Sequence, residues 1–253
     1  EKATELPLKG KKVIISAGGT IERIDPVRYI SNDSSGKMGY RLAEQARDLG
    51  AHVILVTASK LEHPFGMTVK PVNSARDMQT AIMSDFEDAD IIIMAAAVSD
   101  YRPKNQADKK LKKANQDIQI LLEENPDILA TMGQQKTKQF LIGFAAETHD
   151  VEKYAKDKLK RKNADMIVAN DVSKEYAGFN KDTNEVTIYQ KDKEAVHIEI
   201  NTKENIARQL VNSQAQVILG GGLIQENSQF ENLTNLAVFL YILISRRVFD
   251  SFI

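Results

Sequence analysis

The sequence predicts an α/β domain: a mostly parallel sheet covered by helices on both faces, ending in a β-hairpin. Two observations predict it. Short runs of β-branched and apolar residues recur along the chain, as expected of strands buried on both faces, and segments of helical spacing separate them. Strands that alternate with helices close into a parallel sheet, whose ligands bind at the carboxyl ends of the strands.

The first run, Lys12–Ala17 (KVIISA), reads as a buried strand that stops at Gly18-Gly19. Residues 36–49 place Met38, Leu42, Ala46 and Leu49 at helical spacing, with Gly50 where a C-cap belongs. Residues 51–57 read as a second strand, 74–86 as a helix and 90–96 (DIIIMAA) as a strand. A helix over 125–134 is predicted to open with Asn125 as cap and Pro126 at its first position. Residues 140–145 read as a strand, 151–161 as a helix and 165–169 as a strand. The runs 185–189 and 195–200 form the hairpin, and 203–211 the last helix.

With 253 residues, 42% of them hydrophobic, the chain holds one large domain, or one domain and a small appendage. A net charge of −1 gives no global field toward nucleic acid or an anionic membrane, so neither partner is expected. The absence of cysteine excludes a disulfide framework, a thiolate zinc site and a thiol nucleophile, and it fits a reducing compartment. Residues 1–10 are polar, carry four charges and do not read as a signal peptide. The longest apolar stretch, 236–244, has nine residues, whereas a membrane helix needs roughly 18. A soluble, cytoplasmic protein is expected. The domain is expected over 8–213. From 214 to 253 the composition changes, through Gly220-Gly221-Gly222, a polar run and an apolar run. This tail is left unassigned, with a vector-derived or frameshifted origin favoured over a lineage-specific addition.

Two connections suit anions. In residues 17–39 (AGGTIERIDPVRYISNDSSGKMG) glycines end a strand, and Ser34, Ser35, Gly36 and Lys37 precede a helix. Backbone amides, two hydroxyls and a positive helix end there can hold a phosphate. Taken alone, Gly18-Gly19 is as readily a turn. The phosphate loop of the nucleotide triphosphatases is excluded, because Ser31 stands five before Gly36 and Met38 replaces the required Ser or Thr. The dinucleotide fingerprint is absent as well. The second connection, 96–113, gathers Arg102, Lys104, Lys109, Lys110, Lys112 and Lys113 after a central strand. It reads either as a solvated basic face or as a lid over a polyphosphate. Asp100 is the acid at that strand end, Glu147 is either a site carboxylate or a structural one, and Lys158 and Lys162 share a helical face. The four histidines, His52, His63, His149 and His197, lack metal-ligand spacing.

Together these segments resemble phosphopantothenate–cysteine ligase, also called phosphopantothenoylcysteine synthetase, in many bacteria the second half of a bifunctional flavoprotein. The likeness rests on residues 17–39, AAAVSDYRP followed by KKLKK, ENPDIL, IGFAAET, and RKNADMIVANDVS followed by GFN, in the family's order. It implies a modified Rossmann-type fold, a homodimer and an amide-forming reaction driven by CTP in bacterial members or ATP in eukaryotic ones. The phosphopantothenate carboxylate attacks the α-phosphate, pyrophosphate leaves, and the acyl-nucleotide meets the cysteine amine. Asn32 is then expected to serve the acyl intermediate and Lys110 to reach the phosphates from a flap. The resemblance assigns the nucleotide to Asp100, Asn125, Pro126, Asp127, Ile128, Phe144, Lys158 and Lys162, beside the loop residues Gly18, Gly19, Ser34 and Ser35. It assigns phosphopantothenate to Arg28, supplied across the dimer, and to Ala97. A divalent ion, expected to be Mg2+, accompanies the triphosphate, and its protein ligands are unknown. A flavin-dependent decarboxylase, fused or separate, is the expected partner. Two rivals remain: an NADP-dependent oxidoreductase, for which Tyr154 and Lys158 have the Tyr-x-x-x-Lys spacing, and a binding module without turnover.

Overall fold

The computed structural model describes residues 6–113, 117–147, 149–171 and 182–220. The chain divides into units Glu1–Ala215 and Gln216–Ile253, and the architecture below belongs to the first, apart from the last five residues of the final helix. The tail beyond residue 220, the end of the VANDVS motif and the GFN motif lie outside the described residues.

The chain order begins with β1 (Lys12–Ala17), β2 (Ile21–Arg23), β3 (Tyr29–Ser31), α1 (Lys37–Asp48), β4 (His52–Thr57), β5 (Thr68–Pro71), α2 (Ala75–Met83) and β6 (Ile91–Met94). It continues with β7 (Tyr101–Pro103), β8 (Leu122–Glu124), α3 (Ile128–Gln135), β9 (Phe140–Glu147), α4 (Val151–Arg161), β10 (Met166–Asp171), β11 (Thr183–Gln190), β12 (Val196–Thr202) and α5 (Lys203–Gly220). The main sheet has eight strands in the order β12-β11-β10-β9-β6-β1-β4-β5. From β10 to β5 every pairing is parallel, and β11 and β12 add antiparallel at the edge beside β10. This is a doubly wound, Rossmann-like sheet, whose order reverses between β1 and β6.

Each central strand is apolar on both sides because helices cover both faces. Ile14, Ile54, Ile92, Leu141 and Ile167 meet Met78 and Ile82 of α2, Leu129 and Met132 of α3 and Ala155 of α4. On the other face Leu42 of α1 and Leu210 of α5 lie over Ile93, Ile142, Met166 and Val168.

Two differences from the sequence reading matter. The third helix starts at Ile128 and its N-cap is Asp127, whose carboxylate accepts from the Ala130 amide at 2.9 Å. Asn125 is drawn off instead: its amide side chain donates to Ser99 O at 2.8 Å and its backbone N–H to Asp100 O at 2.7 Å. Second, the connection 17–39 contains a short hairpin, β2–β3, and the connection 96–113 contributes β7, which pairs antiparallel with β8 beyond it.

Several carboxylates are held below the usual carboxylate range. For Asp85 the ion pairs to Lys70 and to Lys12, the latter at 2.9 Å, lower the pKa to about 2. For Asp25 the Arg28 guanidinium outweighs burial and lowers it further. Groups depressed on folding add stability above their unfolded pKa, and that stability is lost as pH falls through the folded value. The melting temperature is therefore expected to fall steeply between about pH 4 and pH 2. Asp85→Asn should flatten part of that slope, and a melting temperature constant to pH 3 would contradict the assignment.

Candidate functional site

The carboxyl ends of β6, β9 and β10 and the segment 32–39 open into one large cleft of about 920 Å³. Backbone bonds tie the two sides of the strand-order reversal together: Ala97 N donates to Gly18 O at 2.9 Å and Thr20 N to Ala97 O at 3.2 Å. Buried hydroxyls extend the tie, Ser16 Oγ accepting from Ala96 N at 3.1 Å and Thr20 Oγ1 from Ser99 N at 2.9 Å. A rigid floor for the cleft results.

On one side the segment 32–39 leads into α1. Gly36 caps that helix with φ 84°, a conformation that side chains rarely adopt, and it supplies no side-chain cap for the first-turn amides. Ser59 Oγ pins the approach by donating to Ser35 O at 2.7 Å. Asn32 reaches across the reversal: its Nδ2 donates to Ala97 O and Val98 O, each at 3.2 Å.

On the other side stand Asp127, Phe144, Glu147, Tyr154, Lys158, Arg161 and Lys162. Lys158 Nζ donates to Phe144 O at 2.8 Å. Burial lowers its pKa, Glu147 opposes that, Lys162 adds to it, and Asp127 and Asp100 oppose it again. Burial would raise the Asp127 carboxyl, but the Lys162 ammonium and the Ala130 amide prevail and hold it low. Two ammonium groups, Lys158 and Lys162, thus answer Glu147, Asp127 and Asp100, an arrangement that a polyanionic ligand can reorganise.

The structure gathers Asn32, Ser34, Ser35, Ala97, Asp100, Asn125, Pro126, Asp127, Ile128, Phe144, Lys158 and Lys162 on this one cleft. Gly18 and Gly19 lie behind it; a Cβ on Gly19 would come within 2.4 Å of Asn32 O. Arg28 and Lys110 are not among its lining residues. Arg28 pairs with Asp25, which is 0% exposed, and donates to Leu111 O at 2.7 Å, while Leu111 N donates back to Asp25 at 3.1 Å. This latch fixes the backbone next to Lys110, whose own side chain is exposed.

Sequence reasoning gave no role to Asn170, Asn184 or Lys203, all cleft-lining and buried. Asn170 is 8% exposed, and its Oδ1 is a buried acceptor with no partner among the described residues. Asn170 lies within the quoted RKNADMIVANDVS motif, which marked the segment but not this residue, and a lysine opening a helix is a local anomaly that was open to reading. Among the described residues no group of three or more His, Asp or Glu side chains is arranged to hold a metal ion. The described residues fit a divalent ion only where a ligand supplies most of its oxygen donors. No helix among the described residues is long and apolar enough to cross a membrane.

Residues 8–217 match the family model described as the DNA/pantothenate metabolism flavoprotein C-terminal domain. The chain is 47% identical over 210 residues to the coenzyme A biosynthesis bifunctional protein CoaBC of Bacillus subtilis, covering 82% of this chain and 52% of that protein. It is 44% identical over 218 residues to the protein of the same name from Vibrio vulnificus, covering 85% and 54%. It therefore spans about half the length of these curated relatives. Among solved structures, the C-terminal domain of a coenzyme A biosynthesis bifunctional protein CoaBC matches with a TM-score of 0.73 at 44% identity, covering 85% of this chain and 99% of that one.

Proposed function

The chain belongs to the family of the DNA/pantothenate metabolism flavoprotein C-terminal domain, and from that premise we propose that it is the ligase that joins 4′-phosphopantothenate to cysteine in coenzyme A biosynthesis. CTP is the co-substrate in this reading. A phosphopantothenate carboxylate oxygen attacks the α-phosphorus, the bond to the β-phosphate breaks, and pyrophosphate leaves. The cysteine amine then attacks the acyl carbon and loses a proton to solvent, and CMP departs with the former carboxylate oxygen.

The observation that carries this reading is the joining of Asn32 to the basic wall of one cleft at the strand-order reversal. Chemistry of this kind asks the protein for positioning and positive charge, not for a covalent nucleophile. Asn32 holds the backbone of Ala97 and Val98 and stands where the acyl intermediate would form. Lys158 and Lys162 serve the nucleotide, with Asp127 orienting Lys162. Mg2+, when bound, would be held mainly by oxygens of the triphosphate and would offset their charge. Lys110 acts by moving in from its exposed position, and Arg28 serves the phosphopantothenate of a partner subunit in a homodimer. A cytoplasmic setting and a flavin-dependent decarboxylase, fused or separate, complete the proposal, in keeping with relatives about twice the length of the matched region.

Pyrophosphate release with phosphopantothenate and either CTP or ATP, with and without cysteine, tests this. Cysteine-dependent turnover with CTP is expected; no release from folded protein with either nucleotide would sink the reading. Lys158→Met removes a charged donor near the nucleotide. It should weaken CTP binding about tenfold or more, as expected for a lost hydrogen bond to a charged group. The check is the CTP-induced rise in melting temperature, and a rise equal to that of the wild type would remove Lys158 from the nucleotide site.

A further inference from the structure

The turn between β2 and β3 is built on Asp25, a residue that is 0% exposed. Its Oδ1 closes the turn by accepting from Val27 N and Arg28 N at 2.8 Å each. A turn of this kind asks for no more than that one oxygen. Its Oδ2 accepts from Arg28 Nε at 3.0 Å, from Arg28 Nη2 at 2.5 Å and from Leu111 N, 86 residues away, at 3.1 Å. Arg28 Nη2 closes the ring by donating to Leu111 O at 2.7 Å. The Arg28 guanidinium, with the amides of Val27, Leu111 and Arg28, outweighs burial and holds the Asp25 carboxyl well below the usual carboxylate range.

Leu111 stands in the basic run Lys109-Lys110-Leu111-Lys112-Lys113, whose charges repel one another. Among the described residues, the hydrogen bonds that hold 105–113 run to this one turn: those of Leu111, and that of Ala107 N to Ile24 O at 2.9 Å. Lys110 lies between these two anchors. The same hairpin leads through β3 directly into Asn32, whose side chain crosses to Ala97 and Val98. Arg28 keeps one nitrogen in reserve. Its Nε and Nη2 are committed to Asp25 and Leu111, whereas Nη1 has no hydrogen-bond partner among the described residues, and the side chain is 45% exposed. A guanidinium held by a fixed carboxylate is preorganised to grip an oxyanion with its remaining N–H groups.

We propose that Asp25 is a positioning residue: it seats the basic segment 105–113 on the β2–β3 turn and presents Arg28 Nη1 to an anion, so that one buried carboxylate places Lys110 and Arg28 together. This deepens the ligase reading and rests on it. Asp25 acts through the two cations, and the seat it makes for Leu111 fixes the point from which Lys110 moves toward the phosphates.

Two measurements on the full chain carrying Asp25→Asn test it. Trypsin should cut after Lys109, Lys110, Lys112 and Lys113 at least tenfold faster than in the wild type, with cutting elsewhere unchanged, because only the seat of that segment is lost. In the ligase assay the KM for phosphopantothenate should rise and pyrophosphate formation at saturation should fall, each at least tenfold, while the KM for cysteine stays within about twofold. Cuts that quicken alike along the whole chain would make Asp25 a structural residue only and overturn the proposal. If Asp25→Asn does not fold, Arg28→Lys carries the same expectation, since a lysine keeps the charge but lacks the fork that reaches Asp25 and Leu111 O together; unchanged cutting by that variant overturns the proposal equally. Proteolysis needs no turnover. A chain that opens locally at 109–113 but forms no pyrophosphate even as the wild type fails the ligase reading alone, whereas an active ligase whose phosphopantothenate KM and first step are indifferent to Asp25 fails this one.

Discussion

Asn32→Asp should release pyrophosphate from CTP and phosphopantothenate yet make almost no amide. The side-chain amide of Asn32 bridges to two carbonyl oxygens, Ala97 O and Val98 O, at 3.2 Å each. An aspartate carboxylate there faces those oxygens with lone pairs against lone pairs and has no N–H to offer. Activation of the carboxylate draws on the nucleotide side of the cleft, through Lys158 and Lys162, and should survive. The second step, in which charge develops on the acyl group, loses a positioned donor. Losses of this kind cost about 10²–10³ in rate. Quenched-flow analysis should show acyl-cytidylate accumulating, and amide formation at the wild-type rate would remove Asn32 from the mechanism.

Gly19→Ala has the second largest expected effect, on stability and activity together. Its Cβ would lie 2.4 Å from Asn32 O and 3.2 Å from Ser31 Oγ. The hydroxyl can rotate away, but the backbone carbonyl cannot, so either the end of β1 or the segment carrying Asn32 has to shift. Overpacking of this sort costs about 1–3 kcal/mol. In a domain of this size that is a fall of roughly 3–10 °C in melting temperature. Because the displaced atom belongs to Asn32, amide formation should fall further than pyrophosphate release. A variant with wild-type melting temperature and equal rates in both steps would mean that the 31–32 segment yields freely.

What the sequence made legible follows from how each signal arises. The strands at the centre of the sheet, such as β1, β4 and β6, are buried on both faces, and their apolar runs stand out without any partner being known. The short hairpins do not. β2 (IER), β3 (YIS), β7 (YRP) and β8 (LEE) have three residues each, too few to show a period, and β5 (TVKP) is a four-residue edge strand.

The site divided in the same way. Glycine loops and a basic run are local features, and the residues gathered around Asn32, Asp127 and Lys158 include most of those singled out beforehand. The density of lysines over 104–113 could not reveal that Lys110 stands outside the cleft. Its position is set by the Asp25–Arg28–Leu111 latch, a contact between segments more than 80 residues apart. Asn170 reaches the cleft because β10 pairs with β9, and Lys203 because its backbone bonds back to Asp182 just before β11, relations that no spacing along the chain encodes. The N-cap of α3 turned on a competition that propensity leaves open: Asn125 and Asp127 both suit a cap, and Asn125 is taken by Ser99 O.

The central claim is that the phosphopantothenate carboxylate becomes an acyl-cytidylate in this cleft, and transfer of oxygen tests it most directly. Phosphopantothenate labelled with ¹⁸O in its carboxylate should be turned over with CTP and cysteine, and the phosphate products examined by mass spectrometry. Attack at the α-phosphorus predicts one ¹⁸O in CMP and none in pyrophosphate. Label in orthophosphate with CDP as the nucleotide product would mean attack at the γ-phosphorus through an acyl phosphate, and would contradict the proposed mechanism.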